Sequence, residues 1–324
     1  MTNIDTLKEK VLRDEWITKE EAIALSTEDL SALTAAANEI RQLKCGDGFD
    51  LCTIVNGKCG RCSEDCKYCA QSVHYQSDDL ESYPLLSTEE LVAGAAQNAK
   101  RGVLRYSIVT SGKRLSDTEV DALCESIRAI KSEVSIEVCI SLGLLDEAQF
   151  RKLKAAGASR VHCNLESSQR YFPEVCTTHT YEEKIATLKA AKNAGLSICS
   201  GGILGLGETM EDRIDMVLTA RELGVKSIPV NLLNPIPGTP YEHHKPLTRE
   251  EACRCVALFR FLIPDGAIRL AGGRGLVGDK GESCFTSGAN AAISGDMLTT
   301  AGITIETDIQ LLHDLGFQIK LSND

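Results

Sequence analysis

Beyond about residue 50 the chain alternates between two patterns. Short apolar runs fall near 52–55, 104–109, 136–141, 160–164, 197–200, 228–232, 268–271 and 292–294. Between and after them, near 87–101, 116–132, 146–156, 180–194, 209–223, 248–262 and 306–316, apolar residues recur at helical spacing. Several of these segments end in glycine before the next run: Gly102, Gly157, Gly195 and Gly224. Strand–helix alternation of this kind predicts a parallel sheet with crossover helices. Eight runs predict an α/β fold closed as a (β/α)8 TIM-type barrel; a doubly wound open sheet is the alternative that counting leaves standing.

Residues 4–43 read as helical instead. Thr18 and Glu21 form a capping box opening a second helix, and Ser26 to Asp29 opens a third. The expected organisation is an N-terminal helical extension over 1–44, there for packing, followed by the barrel with its C-terminal helix over 45–324.

Composition narrows the class. Of 324 residues, 43% are hydrophobic and 25% charged, as in ordinary globular chains. A net charge of −11 argues against nucleic acid or an anionic membrane surface as partner. No run approaches the ~20 apolar residues of a membrane span, and the opening MTNIDTLKEKVLRDEW lacks an apolar signal core. A cytoplasmic location follows as the expectation. Fourteen cysteines then suggest metal or redox use rather than a disulfide framework.

The densest group lies directly after the first predicted strand. Arg61–Ala70 reads RCSEDCKYCA, so Cys62, Cys66 and Cys69 form C-x3-C-x2-C. Three thiolates on one loop suit three irons of a [4Fe–4S] cubane and leave the fourth iron open. That open iron suits chelation by S-adenosylmethionine (SAM), whose reductive cleavage releases a 5′-deoxyadenosyl radical. A structural zinc site is the competing reading, and it wants a second ligand pair that is absent nearby. Tyr68 resembles the aromatic found at that place in the radical SAM superfamily, packed near the adenine.

Longer stretches narrow the resemblance. CSEDCKYCAQS (62–72), NLESS (164–168), TTHTY (177–181), CSGGILGLGET (199–209), SIPVNLLNPIPGTP (227–240), IRLAGGR (268–274) and GDMLTT (295–300) are similar to the biotin synthase family across roughly residues 40–317. That resemblance implies insertion of sulfur into dethiobiotin, with the sulfur drawn from an auxiliary iron–sulfur cluster deep in the barrel. In most of the family that cluster is [2Fe–2S], held by three cysteines and an arginine. Cys139, Cys199 and Arg269 match three of the four ligands. The fourth position is Ser107, a poor substitute for thiolate. Cys52, on the first strand where the family pattern has serine, is the expected replacement, and a larger auxiliary cluster becomes an option. Cys52 and Cys163 also read as small buried hydrophobes, and Cys163 is left open.

The same resemblance places Gly201, Gly202 and Ile203 along SAM, Glu166 on its ribose, and Lys184 on its carboxylate, where the family has arginine. Asn164 falls between SAM and dethiobiotin. Asn231 contacts the ureido ring, whose donors and acceptors an amide matches. His162 and Ser227 occupy strand positions that face the cavity; His179 carries no trusted ligand spacing. Cys253 and Cys255 point to different sides of their predicted helix. A flavodoxin or ferredoxin as electron donor and a homodimer are further implications. Two other functions compete: a related barrel radical SAM enzyme such as a hydrogenase maturase, and a non-catalytic zinc-binding scaffold.

Overall fold

The computed structural model describes residues 3–75 and 80–322. Its strands are β1 (Gly48–Lys58), β2 (Arg105–Thr110), β3 (Glu137–Ser141), β4 (Ala158–His162), β5 (Ser197–Cys199), β6 (Gly202–Leu204), β7 (Ser227–Leu232), β8 (Ala267–Leu270), β9 (Ala291–Ile293) and β10 (Gln318–Ile319). The helices are α1 (Asn3–Leu12), α2 (Lys19–Leu25), α3 (Leu30–Cys45), α4 (Thr88–Lys100), α5 (Asp117–Glu133), α6 (Glu147–Ala156), α7 (Phe172–Val175), α8 (Tyr181–Asn193), α9 (Met210–Glu222), α10 (Arg249–Leu262), α11 (Glu282–Phe285) and α12 (Ile305–Asp314).

Strands pair in parallel in the order β1-β2-β3-β4-β5-β7-β8-β9, and β9 returns to β1 through Asp50↔Ala291 and Cys52↔Ile293. The sheet is therefore closed, which settles barrel against open sheet. Each predicted run lies on a stave, with ends shifted by a few residues. The fifth stave is broken: Ser200 and Gly201 interrupt it, and β6 continues it beside β7. The short strand β10 is absent from the sequence-based expectation; it pairs with the start of β1 through Gly48↔Gln318.

Six crossover helices open with the same device. Ser87, Ser116, Asp146, Thr180, Thr209 and Thr248 each accept the backbone N–H three residues on, whose own side chain reaches back. Each cap spares two backbone donors and fixes where the loop from the preceding strand ends. The expected box at Thr18 and Glu21 is also formed. Outside the barrel, α3 packs on α10, α2 on α9, and α1 on α3. Among the described residues no helix is long and apolar enough to cross a membrane.

Along the strands, side chains alternate between the helix layer and the barrel interior. Interior positions form successive levels. Asp50, Arg105, Arg160 and Arg269 meet at the floor, the thiols of Cys52, Cys139 and Cys199 lie close by, and Ile54, Asn164 and Asn231 line the cavity above.

Candidate functional site: a cavity between two cysteine groups

A cavity of about 360 Å³ opens at the C-terminal ends of the strands, where barrels place their chemistry. Cys62, Cys66 and Cys69 line it from the loop after β1, and all three are half-buried. The loop is pinned locally. Cys62 N–H donates to the Gln71 carbonyl at 2.9 Å, and Val73 N–H returns to the Cys62 carbonyl at 2.9 Å. Ser72 Oγ caps the Glu64 carbonyl at 2.6 Å. Asp65 ties the loop to residues beyond α7, accepting from the backbone N–H groups of Thr177 at 2.8 Å and Thr178 at 3.1 Å. Burial pushes the Cys69 thiol up to about 11, so ionisation here needs a cationic partner such as iron. Three thiols aimed into one cavity with no fourth cysteine among its lining residues except Cys163 fit a cluster with an open iron better than a closed zinc site.

Beside the loop, Glu166 combines three unusual features. It adopts φ 70° without being glycine, it is buried, and its Oε2 atom has no hydrogen-bond partner. Strain of this kind in a non-glycine residue marks functional positions. Burial raises the Glu166 pKa, opposed by the Lys184 ammonium, whose Nζ stands 3.9 Å from Oε1. Tyr68 lies against the same carboxyl group. An orphaned carboxylate oxygen in a cavity suits a hydroxyl-bearing ligand such as a ribose. Lys184 is buried and lines the cavity, whereas a lysine on a surface helix would be solvated.

Gly201 and Gly202 pack tightly against neighbouring backbone. A Cβ on Gly201 would meet the Pro229 carbonyl oxygen at 2.1 Å, and one on Gly202 the Glu166 carbonyl oxygen at 2.3 Å. The neighbouring backbone demands both glycines. Ile203 lines the cavity directly. Asn164 accepts from Gly201 N–H at 3.4 Å. Asn231 Oδ1 accepts from Gly272 N–H at 3.0 Å, and its Nδ2 donates to the Gly202 carbonyl at 3.1 Å. Each amide is thus held in place and keeps one donor or acceptor site for a ligand.

The floor is different in kind. Cys52, Cys139, Cys199, Ser107 and Arg269 are all almost wholly buried. Arg269 Nη1 donates to Cys52 Sγ at 3.2 Å and to the Asp50 carbonyl at 2.9 Å. Its Nε contacts Ser227 Oγ at 3.4 Å, which also accepts from Cys199 Sγ at 3.1 Å. Ser107 sits opposite Cys139 in the β2–β3 register, and its hydroxyl has no hydrogen-bond partner. So Cys52, Cys139, Cys199 and Arg269 converge, while Ser107 leaves a polar atom facing them. Cys163 is elsewhere: it lies on the cavity wall near Lys184 and Glu166.

Three guanidiniums crowd one carboxylate below these thiols. Arg105 Nε is 3.0 Å and Arg160 Nη1 3.9 Å from Asp50 Oδ2, and Arg269 Nη2 is 3.2 Å from Oδ1. Burial alone would raise the Asp50 pKa; Arg269, Arg105 and Arg160 outweigh it and hold the carboxyl well below the usual range. The surplus positive charge favours anionic sulfur above it. Burial pushes the Cys139 thiol up to about 11 against the pull of Arg160 and Arg105, and holds His162 down to about 3, helped by Arg160. His162 is therefore neutral, and its Nε2 atom is buried without a partner. This donor set, with orphaned atoms at Ser107 and His162, fits an iron–sulfur group at the floor. Charged residues inside otherwise apolar strands, as in DLCTIV and LRYSIV, were the available signal for Asp50 and Arg105.

Sequence reasoning also passed over His179. It is buried, 2.6 Å from Glu64 Oε2 and 3.3 Å from Cys176 Sγ. Of the remaining cysteines, Cys253 faces Cys284 at 3.8 Å, while Cys255 contacts Arg213, so the two do face different sides.

Known proteins resemble this chain along almost its whole length. The radical SAM superfamily pattern matches residues 58–220, and the biotin and thiamin synthesis associated domain matches 229–318. Biotin synthase 2 of Corynebacterium diphtheriae is 56% identical over 323 residues, covering 100% of this chain and 98% of that one. Biotin synthase of Akkermansia muciniphila is 57% identical over 321 residues, 99% and 100% of the two chains. Among solved structures, methylornithine synthase superposes with a TM-score of 0.81 at 18% identity over 98% of each chain. The [FeFe]-hydrogenase maturase HydG does so at 0.81 and 17%, over 97% of this chain and 74% of its own. At such identities these two likenesses speak for the fold alone.

Proposed function

This chain belongs to the biotin synthase family of radical SAM enzymes, and we propose that its cavity holds SAM and dethiobiotin between two iron–sulfur groups. The observation that carries this reading is the presence of two separate cysteine sets, half-buried thiols lining the cavity mouth and sealed ones in the barrel interior, where the cavity-lining Ser107 sits opposite Cys139. When bound, a [4Fe–4S] cluster with SAM supplies the hydrogen-abstracting radical, and an auxiliary cluster supplies the sulfur.

The chain's own residues then have distinct tasks. Cys62, Cys66 and Cys69 hold the mouth cluster. Glu166 takes a ribose hydroxyl on its orphaned oxygen, Lys184 meets the SAM carboxylate, and Tyr68 and Ile203 wall the adenine. Lysine supplies charge there without the two-pronged grip of arginine. Asn164 and Asn231, fixed by backbone hydrogen bonds, orient dethiobiotin toward the floor.

At the floor, Cys52, Cys139, Cys199 and Arg269 are the ligand set, with Cys52 standing in for the cysteine missing at Ser107. The 3.2 Å contact between Arg269 and Cys52 supports the exchange. A [2Fe–2S] group or a larger one suits these donors. A flavodoxin or ferredoxin as electron donor and a homodimer extend the family likeness.

Anaerobic reconstitution with iron and sulfide, followed by SAM, dethiobiotin and a reductant, tests the reading. Biotin together with 5′-deoxyadenosine, detected by mass spectrometry, is the expected result. Deoxyadenosine without biotin would keep the radical chemistry and reject the substrate.

A further inference from the structure

Cys253 on α10 and Cys284 on α11 lie outside both cysteine groups and do not line the cavity. Their sulfurs are 3.8 Å apart. Outside the mouth and the floor, no other two thiols among the described residues hydrogen bond to one another. Both residues are buried, Cys284 at 1% exposure and Cys253 at 6%. Small buried thiols often serve packing alone. This pair differs in its reach and in its asymmetry.

A disulfide bond is ~2.05 Å long, so the two sulfurs need to close by about 1.8 Å. The short helix α11 is a single turn. Its start is held by Asp279, whose carboxylate accepts from Gly281 N–H at 2.9 Å and from Ser283 N–H at 3.2 Å. A turn held by side-chain hydrogen bonds has room to shift, whereas α10 is buried along most of its length. The two sulfurs also differ in character. Hydrogen bonding with Cys284 holds the Cys253 thiol below the ordinary thiol range, against burial. The same contact, with burial, pushes the Cys284 thiol well up. The more exposed sulfur is therefore also the readier to ionise, and the thiolate is the nucleophile. This favours attack by Cys253 and resolution by Cys284.

We propose that Cys253 and Cys284 form an oxidation site, at which hydrogen peroxide makes a reversible disulfide that closes the segment bearing β8 and Arg269 into a covalent loop. The Cys253 thiolate takes one oxygen as the O–O bond breaks, giving a sulfenic acid and releasing hydroxide. The Cys284 sulfur then attacks the sulfenic sulfur. The S–S bond forms, the S–O bond breaks, and the Cys284 proton leaves with that oxygen as water. The peroxide is reduced by two electrons, one drawn from each sulfur. A cross-link between residues 253 and 284 restrains the unfolded chain. Phe285, next to Cys284, packs on Phe49 in β1 with ring centroids 4.9 Å apart, so the staple braces the first strand as well as the eighth. Neither cysteine belongs to the proposed iron–sulfur groups, and the site stands whether or not those groups do.

Titrating the reconstituted full chain with hydrogen peroxide, alkylating residual thiols under denaturing conditions and mapping peptides without reduction tests it. The expected product is a linked Cys253–Cys284 peptide, lost again after dithiothreitol. The linked chain should melt several degrees above the same sample after dithiothreitol. In C284A, dimedone should trap a sulfenic acid at Cys253; in C253A, Cys284 should stay a free thiol. Both thiols alkylated throughout the titration of the unsubstituted chain overturns the proposal, as does dimedone on Cys253 there without the link. Labelling of Cys284 in C253A overturns the order of attack, and an unchanged melting temperature overturns the staple. The peptide map of the unsubstituted chain decides the matter even if a variant fails to fold.

Discussion

The mouth and the floor of this barrel handle sulfur in opposite ways. At the mouth, three cysteines sit within eight residues of one loop, half-buried and beside an opening. At the floor, Cys52, Cys139 and Cys199 come from three different strands, are sealed from solvent, and stand over three arginines sharing one aspartate. A loop can be rebuilt around a labile, ligand-exchanging iron. Strands fix a group by register, and a sealed, charge-balanced pocket retains it. The difference teaches that one chain can present the same donor atom for exchange in one place and for retention in another, by burial and counter-charge alone.

The sharpest way to separate the two regions is to remove one at a time. C66A should abolish SAM cleavage, measured as 5′-deoxyadenosine, while iron and sulfide at the floor persist. Loss of both iron pools together would mean the regions are not independent. The converse is C52A, which should keep SAM cleavage yet lose the floor iron and sulfide, and with them biotin. C52A combined with S107C should restore part of that content. Full retention of floor iron and sulfide in C52A would remove Cys52 from the ligand set.

Charge balance at the floor gives the next effect. D50N leaves three buried guanidiniums facing a neutral amide and should cost about 3–5 kcal/mol in denaturant unfolding of the metal-free chain. The pH dependence has a definite sign. The Asp50 pKa is depressed on folding, so its contribution is fully present above the unfolded carboxylate value of about 3.9 and disappears as pH falls through the lower folded value. The unsubstituted chain should therefore lose stability below about pH 4, and D50N should lack that part of the slope. A parallel loss in both would exonerate Asp50. The smallest effect belongs to the mouth: K184M should weaken SAM binding by about 1.5–3 kcal/mol, the worth of a hydrogen bond to a charged group, and K184R should bind nearly normally by isothermal titration. Equal weakening in both would take the ammonium off the SAM carboxylate.

How much of this was legible beforehand follows from locality. The barrel showed in the alternation because each stave is a short run bounded by its own helix, as β2 is between α4 and α5. The run at 197–200 found β5 but not β6, because Ser200, Gly201 and Gly202 interrupt the apolar pattern and leave only Ile203 and Leu204 to mark the second piece. β10 left no trace, since Gln318 and Ile319 are too few to show a period. Cys62, Cys66 and Cys69 were legible because their spacing is itself the signal. Cys139, Cys199 and Arg269 were legible only through likeness to relatives, since nothing local links them. Cys176 and His179 were missed because their partners Glu64, Asp65 and Cys66 lie more than a hundred residues earlier. The charged floor was missed because Arg105 and Arg160, though conspicuous as charges in apolar strands, reveal their purpose only beside Asp50.

The strand order has a consequence for how the protein is made. β1 is the first strand synthesised, yet its partners on one side are β9 and β10, and Ser322 closes over Asp50 with a 2.6 Å hydrogen bond. On a ribosome, β1 waits with an unpaired edge until residues 291–319 emerge, an edge open to wrong pairing. The pocket at the floor does not exist before then. A metal group held there would be installed after translation, into a barrel that must already have closed or must briefly reopen.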